Sequence, residues 1–312
     1  VPVISTTEEN LVSVIERVVE GHPDVRMIYL TDDDFVINKP SVIRFCKLII
    51  EKNFDNLRLM CFARITDLTE EVIEWMRKAN FRRLNIGVES FSQRVLDEVG
   101  KRCDADRIHT TLKLLKKHGI RPHCNLILTT PQTKLEDIEI TLDNAVEYIS
   151  DVENYTAAVI PAIYPLKGTI FHETYWDYKS YIVDIPGTNF HLRKDDYIHA
   201  EDPLVREFQA RYTEGADAAV GEFTKDMDIR HANNANLALM RIKYARRLID
   251  EIREESENGT LGLTEEVTAG GGRLFRRNPD KIFKAPDANG SDAELPDPLS
   301  TVNQASVGQP GL

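Results

Sequence analysis

From its first residues to about residue 165 the chain alternates between two hydrophobic periods. Ser5, Thr6 and Thr7 ahead of Glu8 and Glu9 predict a helix start, and Leu11, Val14, Ile15, Val18 and Val19 share one face at helical spacing. Residues 26–30 read as a strand, ended by Thr31 and three aspartates. Pro40 and Ser41 open a helix carrying Val42, Ile43, Phe45, Cys46, Leu48, Ile49 and Ile50. Residues 57–63 form the next strand, and Asp67 and Glu70 stand at capping-box spacing before Val72, Ile73, Trp75 and Met76. A third strand, 83–88, leads through Glu89 and Ser90 to a short helix with Val95, Leu96 and Val99. Asp104 caps a further helix whose Ile108, Leu112 and Leu115 align. The fourth strand, 123–128, is followed by a loop at Pro131 and a helix over 135–149, and the fifth strand is 157–163.

Five strands, each separated from the next by helix, predict right-handed crossovers and a parallel sheet in an α/β fold, either an open sheet or a barrel. After Tyr164 the pattern changes. Residues 165–200 are rich in Tyr, Pro, His and Asp without periodicity and are expected to be irregular. Two helical stretches follow, 203–224 and 232–255, the second with Leu237, Met240, Tyr244, Leu248 and Ile252 on one face. Tyr164, Pro165, Tyr175, Trp176, Tyr178, Tyr181 and Phe190 either floor a pocket or pack the irregular region onto the sheet. From residue 268 onward Gly, Pro, Asp, Asn and Ser dominate, the composition of a disordered tail.

Composition narrows the classes. No run approaches the roughly 20 apolar residues of a membrane helix, and the acidic first twenty residues do not resemble a secretory signal. A cytoplasmic protein without membrane contact is expected. The formal charge of −12, from 39 Lys plus Arg against 51 Asp plus Glu, argues against a general nucleic-acid binder. The four cysteines, Cys46, Cys61, Cys103 and Cys124, are far apart and contain no C-x-x-C pair, so neither a disulfide framework nor a local metal knuckle is expected.

In a parallel α/β sheet ligands bind beyond the C-terminal ends of the strands. Here those positions are Asp32 and Asp33, Arg64, Glu89 and Ser90, Asn125 with Thr129, and Pro161 with Tyr164. Carboxylates accept hydrogen bonds from ammonium and ribose hydroxyl groups, and a guanidinium pairs with a carboxylate, so the set suits a zwitterionic or hydroxyl-bearing ligand. Each residue also has a plainer reading. The aspartate run is equally a solvated turn, Ser90 a helix cap with Gln93 at S-x-x-Q spacing, and Arg64 a surface partner of Asp67. Glu89 stands apart, because a carboxylate ending an apolar strand is costly to bury without a partner. Cys46 and Cys61 read as core, and His123 and His172 lack ligand spacing.

The segment from Tyr29 through Asp32, Asp33, Asp34 and Phe35 to Asn38 resembles the D-D-x-F motif of radical S-adenosylmethionine enzymes, especially the branch associated with a cobalamin-binding domain. The run from Cys61 to Asp67, the stretch from Met76 to Asn80, Gly87-Val88-Glu89-Ser90, the run from Gln93 to Asp97, and Lys101 are similar to the patterns that follow in that family. The resemblance continues to about residue 173. It implies a partial TIM-like (β/α)6 barrel over residues 1–165, an irregular and helical region over 166–265, and a tail over 266–312. It also implies S-adenosylmethionine as cofactor, a 4Fe-4S cluster in the intact protein, cobalamin in the branch that carries its binding domain, a small-molecule substrate, and an electron donor such as flavodoxin or ferredoxin. The family's chemistry is reductive cleavage of S-adenosylmethionine to a 5′-deoxyadenosyl radical, in this branch often for methyl transfer. Glu89 would then hydrogen-bond the cofactor, with Asp32, Asp33, Arg64, Ser90 and Asn125 around it.

Two departures qualify that expectation. The family's cluster motif C-x-x-x-C-x-x-C is absent. Since it lies upstream of a segment like Thr6 to Leu11, and residue 1 is Val rather than Met, a chain cut downstream of the cluster loop is expected, lacking the first β/α unit of the barrel. In addition, the loop usually reading G-x-P-G-E-T is here Thr129-Thr130-Pro131-Gln132-Thr133-Lys134. Two other classes stay open: a cluster-less relative that binds a ligand or partner, and an α/β-barrel hydrolase holding a divalent metal with Asp32, Asp33 and Glu89.

Overall fold

The computed structural model describes residues 6–262 apart from 55, 152, 165, 167–168, 170, 172–179, 185–190, 196–197 and 225–233. The expected disordered tail, His172 and the aromatics Tyr175, Trp176, Tyr178 and Phe190 lie outside the described residues, as does Pro165.

Five parallel strands lie side by side in chain order: β1 (Met27–Leu30), β2 (Arg58–Ala63), β3 (Phe81–Glu89), β4 (Arg121–Thr129) and β5 (Thr156–Ala162). Sequential order with a helix in each crossover is the arrangement of an incomplete (β/α) barrel. The helices are α1 (Glu8–Gly21), α2 (Lys39–Lys52), α3 (Glu70–Lys78), α4 (Gln93–Glu98), α5 (Ala105–Lys117) and α6 (Leu135–Ile149). Leu84, Ile86 and Val88 of β3 and Cys124, Leu126 and Leu128 of β4 are buried at 0–5% exposure. With Val42, Phe45 and Ile49 of α2, Ile73 and Met76 of α3, and Ile138 and Leu142 of α6 they belong to one continuous core. The intervening residues of β3 and β4 are only half-buried, so one face of the sheet is packed by helices and the other is partly open.

Helix starts follow from side-chain caps. Thr7 accepts from Asn10 N and Asp104 from Arg107 N at 2.8 Å. The expected capping box at Asp67 and Glu70 does not form. Residues Ile65–Asp67 make a turn of 3-10 helix, and Thr69 caps α3 by accepting from Val72 N.

Two long helices follow, α7 (Pro203–Thr224) and α8 (Asn234–Glu257). The buried stripe of α8 is Ala238, Ile242, Ala245, Leu248, Ile249 and Ile252, rotated from the face set by the large residues Leu237, Met240 and Tyr244. Alanines at 238 and 245 allow close approach, and the bulkier side chains lie at the margin. The stretch expected to be irregular contains a two-stranded sheet, β6 (Ser180–Asp184) and β7 (His191–Asp195). The barrel strands and α7 and α8 fall in one compact unit, and the segment 180–194 falls in a second.

Candidate functional site

The C-terminal end of β3 is the most unusual backbone in the barrel. Glu89 has φ +63°, a left-handed conformation costing a non-glycine residue about 1–3 kcal/mol. The register between β3 and β4 shifts between Gly87 and Glu89, which turns the carboxylate off the regular pleat. Lys101 meets it with Nζ 3.0 Å from Glu89 Oε1 and donates a second bond of 2.9 Å to Gly87 O. Gly87 leaves room for this pair: a Cβ there would lie 2.3 Å from Glu89 Oε1 and 2.9 Å from Lys101 Nζ, so the two side chains would have to shift. Lys101 itself is delivered by the turn ending α4, where Gly100 takes φ +69° and Lys101 N donates to Leu96 O. The partner that a carboxylate on this strand demands is therefore a lysine from the following turn.

The aspartate run divides by position. Asp32 and Asp33 are exposed and Asp34 is 9% exposed, accepting from Val36 N at 3.3 Å. Burial, with Asp67 nearby, raises the Asp34 carboxyl above its ordinary range. Arg64 pairs with Asp34 and not with Asp67. Its Nε is 3.4 Å from Asp34 Oδ2, a charge contact without hydrogen-bond geometry, so that buried oxygen has no hydrogen-bond partner among the described residues. Lys39 is the cation 3.8 Å from Asp67. Nothing in the sequence singles out the third aspartate of three, because its burial comes from the chain folding back so that Phe35 N donates to Phe62 O.

Ser90 faces the helix layer. Its Oγ lies 2.6 Å from Thr141 Oγ1 on α6 and accepts from Ser92 N, and Ser92 is the residue that precedes α4. The first contact holds the loop after β3 onto α6, and the second closes that loop on itself. Asn125 is half-buried on the open face of β4, paired with Gly87 across the ladder.

Thr129 to Lys134 are organised by residues the sequence pattern did not identify. Thr130 Oγ1 donates to Glu98 Oε2, and Gln132 N donates to Glu98 Oε1 at 3.1 Å. Burial raises the Glu98 carboxyl. Thr129 Oγ1 donates to Pro161 O and accepts from Gln209 Nε2 at 2.6 Å, so α7 braces the end of β4. Gln209 is 1% exposed, and its own Oε1 accepts from Ala200 N. A glutamine inside a long helix carries no sequence signal of that role.

The cysteines do not fit an iron-sulfur cluster. All four are free, Cys46, Cys61 and Cys124 are buried, and burial pushes the thiols of Cys46 and Cys124 up to about 12. Among the described residues the donor group compact enough for a metal ion is Glu70, Glu74 and His118, on α3 and just after α5, and no cysteine is in it. The rim residues do fit S-adenosylmethionine in chemistry. Glu89 supplies an acceptor for ammonium or hydroxyl groups, Arg64 and Lys101 supply cations for a carboxylate, and Asn125 supplies an amide.

Residues 2–145 match the Radical SAM superfamily. An uncharacterized methyltransferase of Pyrococcus horikoshii is 26% identical over 170 residues, which are 53% of this chain and 35% of that relative, so the match spans about a third of the relative's length. The cobalamin-dependent S-adenosylmethionine radical enzyme OxsB superposes with a TM-score of 0.52 at 16% identity, over 85% of this chain and 44% of that one. The radical S-adenosylmethionine methyltransferase TsrM from Kitasatospora setae gives 0.52 at 12% identity, over 81% and 57%. At these identities the two structures speak for the fold alone. Through residues 2–145, somewhat less than half of its length, the chain is similar to the Radical SAM superfamily.

Proposed function

We propose that this chain is the barrel portion of a radical S-adenosylmethionine enzyme and binds S-adenosylmethionine at the C-terminal rim of β3 and β4. The strained Glu89, held against Lys101 over Gly87, carries the reading. Strain of this kind persists where the surrounding structure enforces it and clusters at ligand sites. Glu89 accepts from the ligand's amino or hydroxyl groups, Lys101 keeps the carboxylate aimed, and Asn125 lies on the open face beneath. When bound, S-adenosylmethionine supplies the methyl or adenosyl chemistry of the superfamily. The four cysteines do not supply cluster ligands, so the finer reading, reductive cleavage at a 4Fe-4S cluster, needs ligands from outside this chain. The methyltransferase name of the Pyrococcus relative and the cobalamin in OxsB and TsrM favour methyl transfer, with a small-molecule substrate and an external electron donor.

Binding is tested on the chain itself by calorimetric titration with S-adenosylmethionine. Glu89→Gln is expected to weaken binding about tenfold, near 1.4 kcal/mol. Equal affinity in the variant removes Glu89 from the site. Catalysis is tested on the intact protein, reconstituted anaerobically with iron, sulfide and a reductant. Absence of S-adenosylmethionine cleavage there overturns the catalytic reading and leaves that of a ligand-binding relative.

A further inference from the structure

Three neighbouring strands begin at an arginine. Arg26 directly precedes β1, Arg58 opens β2, and Arg82 is the second residue of β3. Hydrogen bonds tie these starts together: Arg58 N donates to Arg26 O at 2.9 Å, Leu59 N to Asn80 O at 3.1 Å, and the Asn80 side-chain amide to Leu57 O. A bulge places the third arginine. Leu59 and Met60 are consecutive on β2, yet their partners on β3 are Phe81 and Arg83, so Arg82 is the extra residue. Such a residue breaks the pleat and re-aims its side chain. Here Arg82 joins Arg26, Arg58, Asn56 and Asn80 in lining one cavity of ≈ 730 Å³. Asn56 and Asn80 take left-handed backbone, with φ +58° and +66°, which turns the chain at the cavity wall.

The charges at this wall are unbalanced. Burial and the neighbouring cations Arg77 and Arg58 hold Arg82 below the ordinary arginine pKa. None of Arg26, Arg58, Arg77 and Arg82 forms an ion pair among the described residues. Arg26 Nη1 donates to the carbonyls of Pro23 and Val25, which leaves its Nε and Nη2 donors for a ligand. Other arginines are matched by acids: Arg64 by Asp34, Arg211 by Glu207 and Glu255, and Arg253 by Glu139. In a chain of net charge −12, the strand starts therefore carry a local field of the opposite sign. A merely solvated arginine patch needs neither a bulge nor a shared cavity.

The lining specifies the chemistry of a ligand. Its described residues offer guanidinium and amide donors, with no carboxylate and no aromatic ring among them. Guanidinium forks match phosphate oxygens two at a time, and the absence of a ring leaves a nucleobase nothing to stack on. The volume falls within the range of about 300–1,000 Å³ usual for small-molecule sites.

We propose that Arg26, Arg58 and Arg82 form a binding site for a compact oligophosphate at the N-terminal ends of β1 to β3, with the Asn56 amide as a neutral donor. Seven residues of strand separate Arg82 from Glu89, about 20 Å, so the site is distinct from the strand C-terminal rim and takes a second ligand. It does not rest on the function proposed above. By bridging three strand starts in the folded chain alone, the ligand stabilises the sheet from the end opposite the rim.

The experiment is calorimetric titration of the full chain with inorganic triphosphate at physiological ionic strength and without divalent metal, alongside citrate as a carboxylate polyanion. Triphosphate is expected to bind and to raise the thermal midpoint. Arg58→Gln and Arg82→Gln should each weaken it about tenfold or more. Arg58→Lys, which keeps the charge and loses the fork, should bind several-fold more weakly. Arg17→Gln removes the same charge from an exposed position on α1 and should leave the affinity unchanged. Arg58 is exposed, so its variants keep the test decisive should Arg82→Gln not fold. No binding of triphosphate by the wild type overturns the proposal. An equal loss in Arg17→Gln and the cavity variants also overturns it, because that marks a diffuse charge effect. Citrate binding as tight as triphosphate overturns the phosphate assignment. Unchanged S-adenosylmethionine affinity in Arg58→Gln supports two separate sites, and lost affinity overturns them. If the wild-type chain binds no S-adenosylmethionine, the function proposed above fails while the triphosphate titration still decides this site.

Discussion

The two faces of β3 and β4 are built from alternate residues of the same strands and obey different rules. On the helix side Leu84, Ile86, Val88, Cys124, Leu126 and Leu128 form a nearly solvent-free apolar layer. On the open side Arg83, Asn85, Gly87, Glu89, Arg121, His123 and Asn125 are polar or small, half-buried, and in several cases short of partners. The first face is arranged to hold the fold together. The second keeps a strained glutamate that stability alone would remove, and a barrel keeps such groups on its inner face to meet ligands.

That contrast can be broken most directly by truncation. Ile86→Ala, on the helix side, should lower unfolding stability by about 2–5 kcal/mol in urea denaturation, while Asn85→Ala, its neighbour on the open side, should cost less than about 1 kcal/mol. Similar losses for the two would show that the open face is also structural.

A smaller effect is expected at the rim. Gly87→Ala should displace the Glu89–Lys101 pair and weaken S-adenosylmethionine binding about tenfold, with the helix-side core unaffected and the change in unfolding midpoint correspondingly slight. Intact binding would show that the pair shifts freely and that the cradle carries no function.

The pH dependence of stability probes the open face again. The folded pKa of His123, about 4, lies below the ordinary histidine value of about 6.5, so between those values the unfolded chain holds the extra proton. Its contribution to stability is fully present above about pH 6.5 and is lost as pH falls toward 4. Comparing wild type with His123→Gln over that window should show a shallower slope in the variant, and parallel curves would remove the histidine from the cationic cluster. The least effect belongs to Asp32→Asn and Asp33→Asn, both exposed, which should change stability by no more than about 0.5 kcal/mol. S-adenosylmethionine titration of these two variants then decides whether either reaches the ligand, as their strand-end position first implied.

Much of the barrel could be read from hydrophobic period alone. Alternation in 83–88 and 123–128 and the helical stripes of Val42, Phe45 and Ile49 or Ile108, Leu112 and Leu115 place β3, β4, α2 and α5, because each element buries one face against its chain neighbour. Glu89 could also be found, as a carboxylate at the end of an apolar strand. The packed side of α8 could be read only in part: Leu248 and Ile252 of the expected face are buried, whereas Leu237, Met240 and Tyr244 are half-buried and Ala238, Ile242 and Ala245 complete the buried stripe. The sheet of β6 and β7 likewise lacks an alternating signal in its sequence.

What the sequence alone determined is therefore the order and type of the sheet-forming elements, the family resemblance, and which residues stand at the strand ends. Tertiary structure decided which of three aspartates is buried, that Ser90 holds a loop to α6, that Glu98 and Gln209 brace the strand ends, and that Arg83, Arg121 and His123 share one cationic layer. The physical reason is range. Period and capping are local properties of the chain, whereas burial and the presence or absence of a counter-charge depend on strands some forty residues apart brought into register.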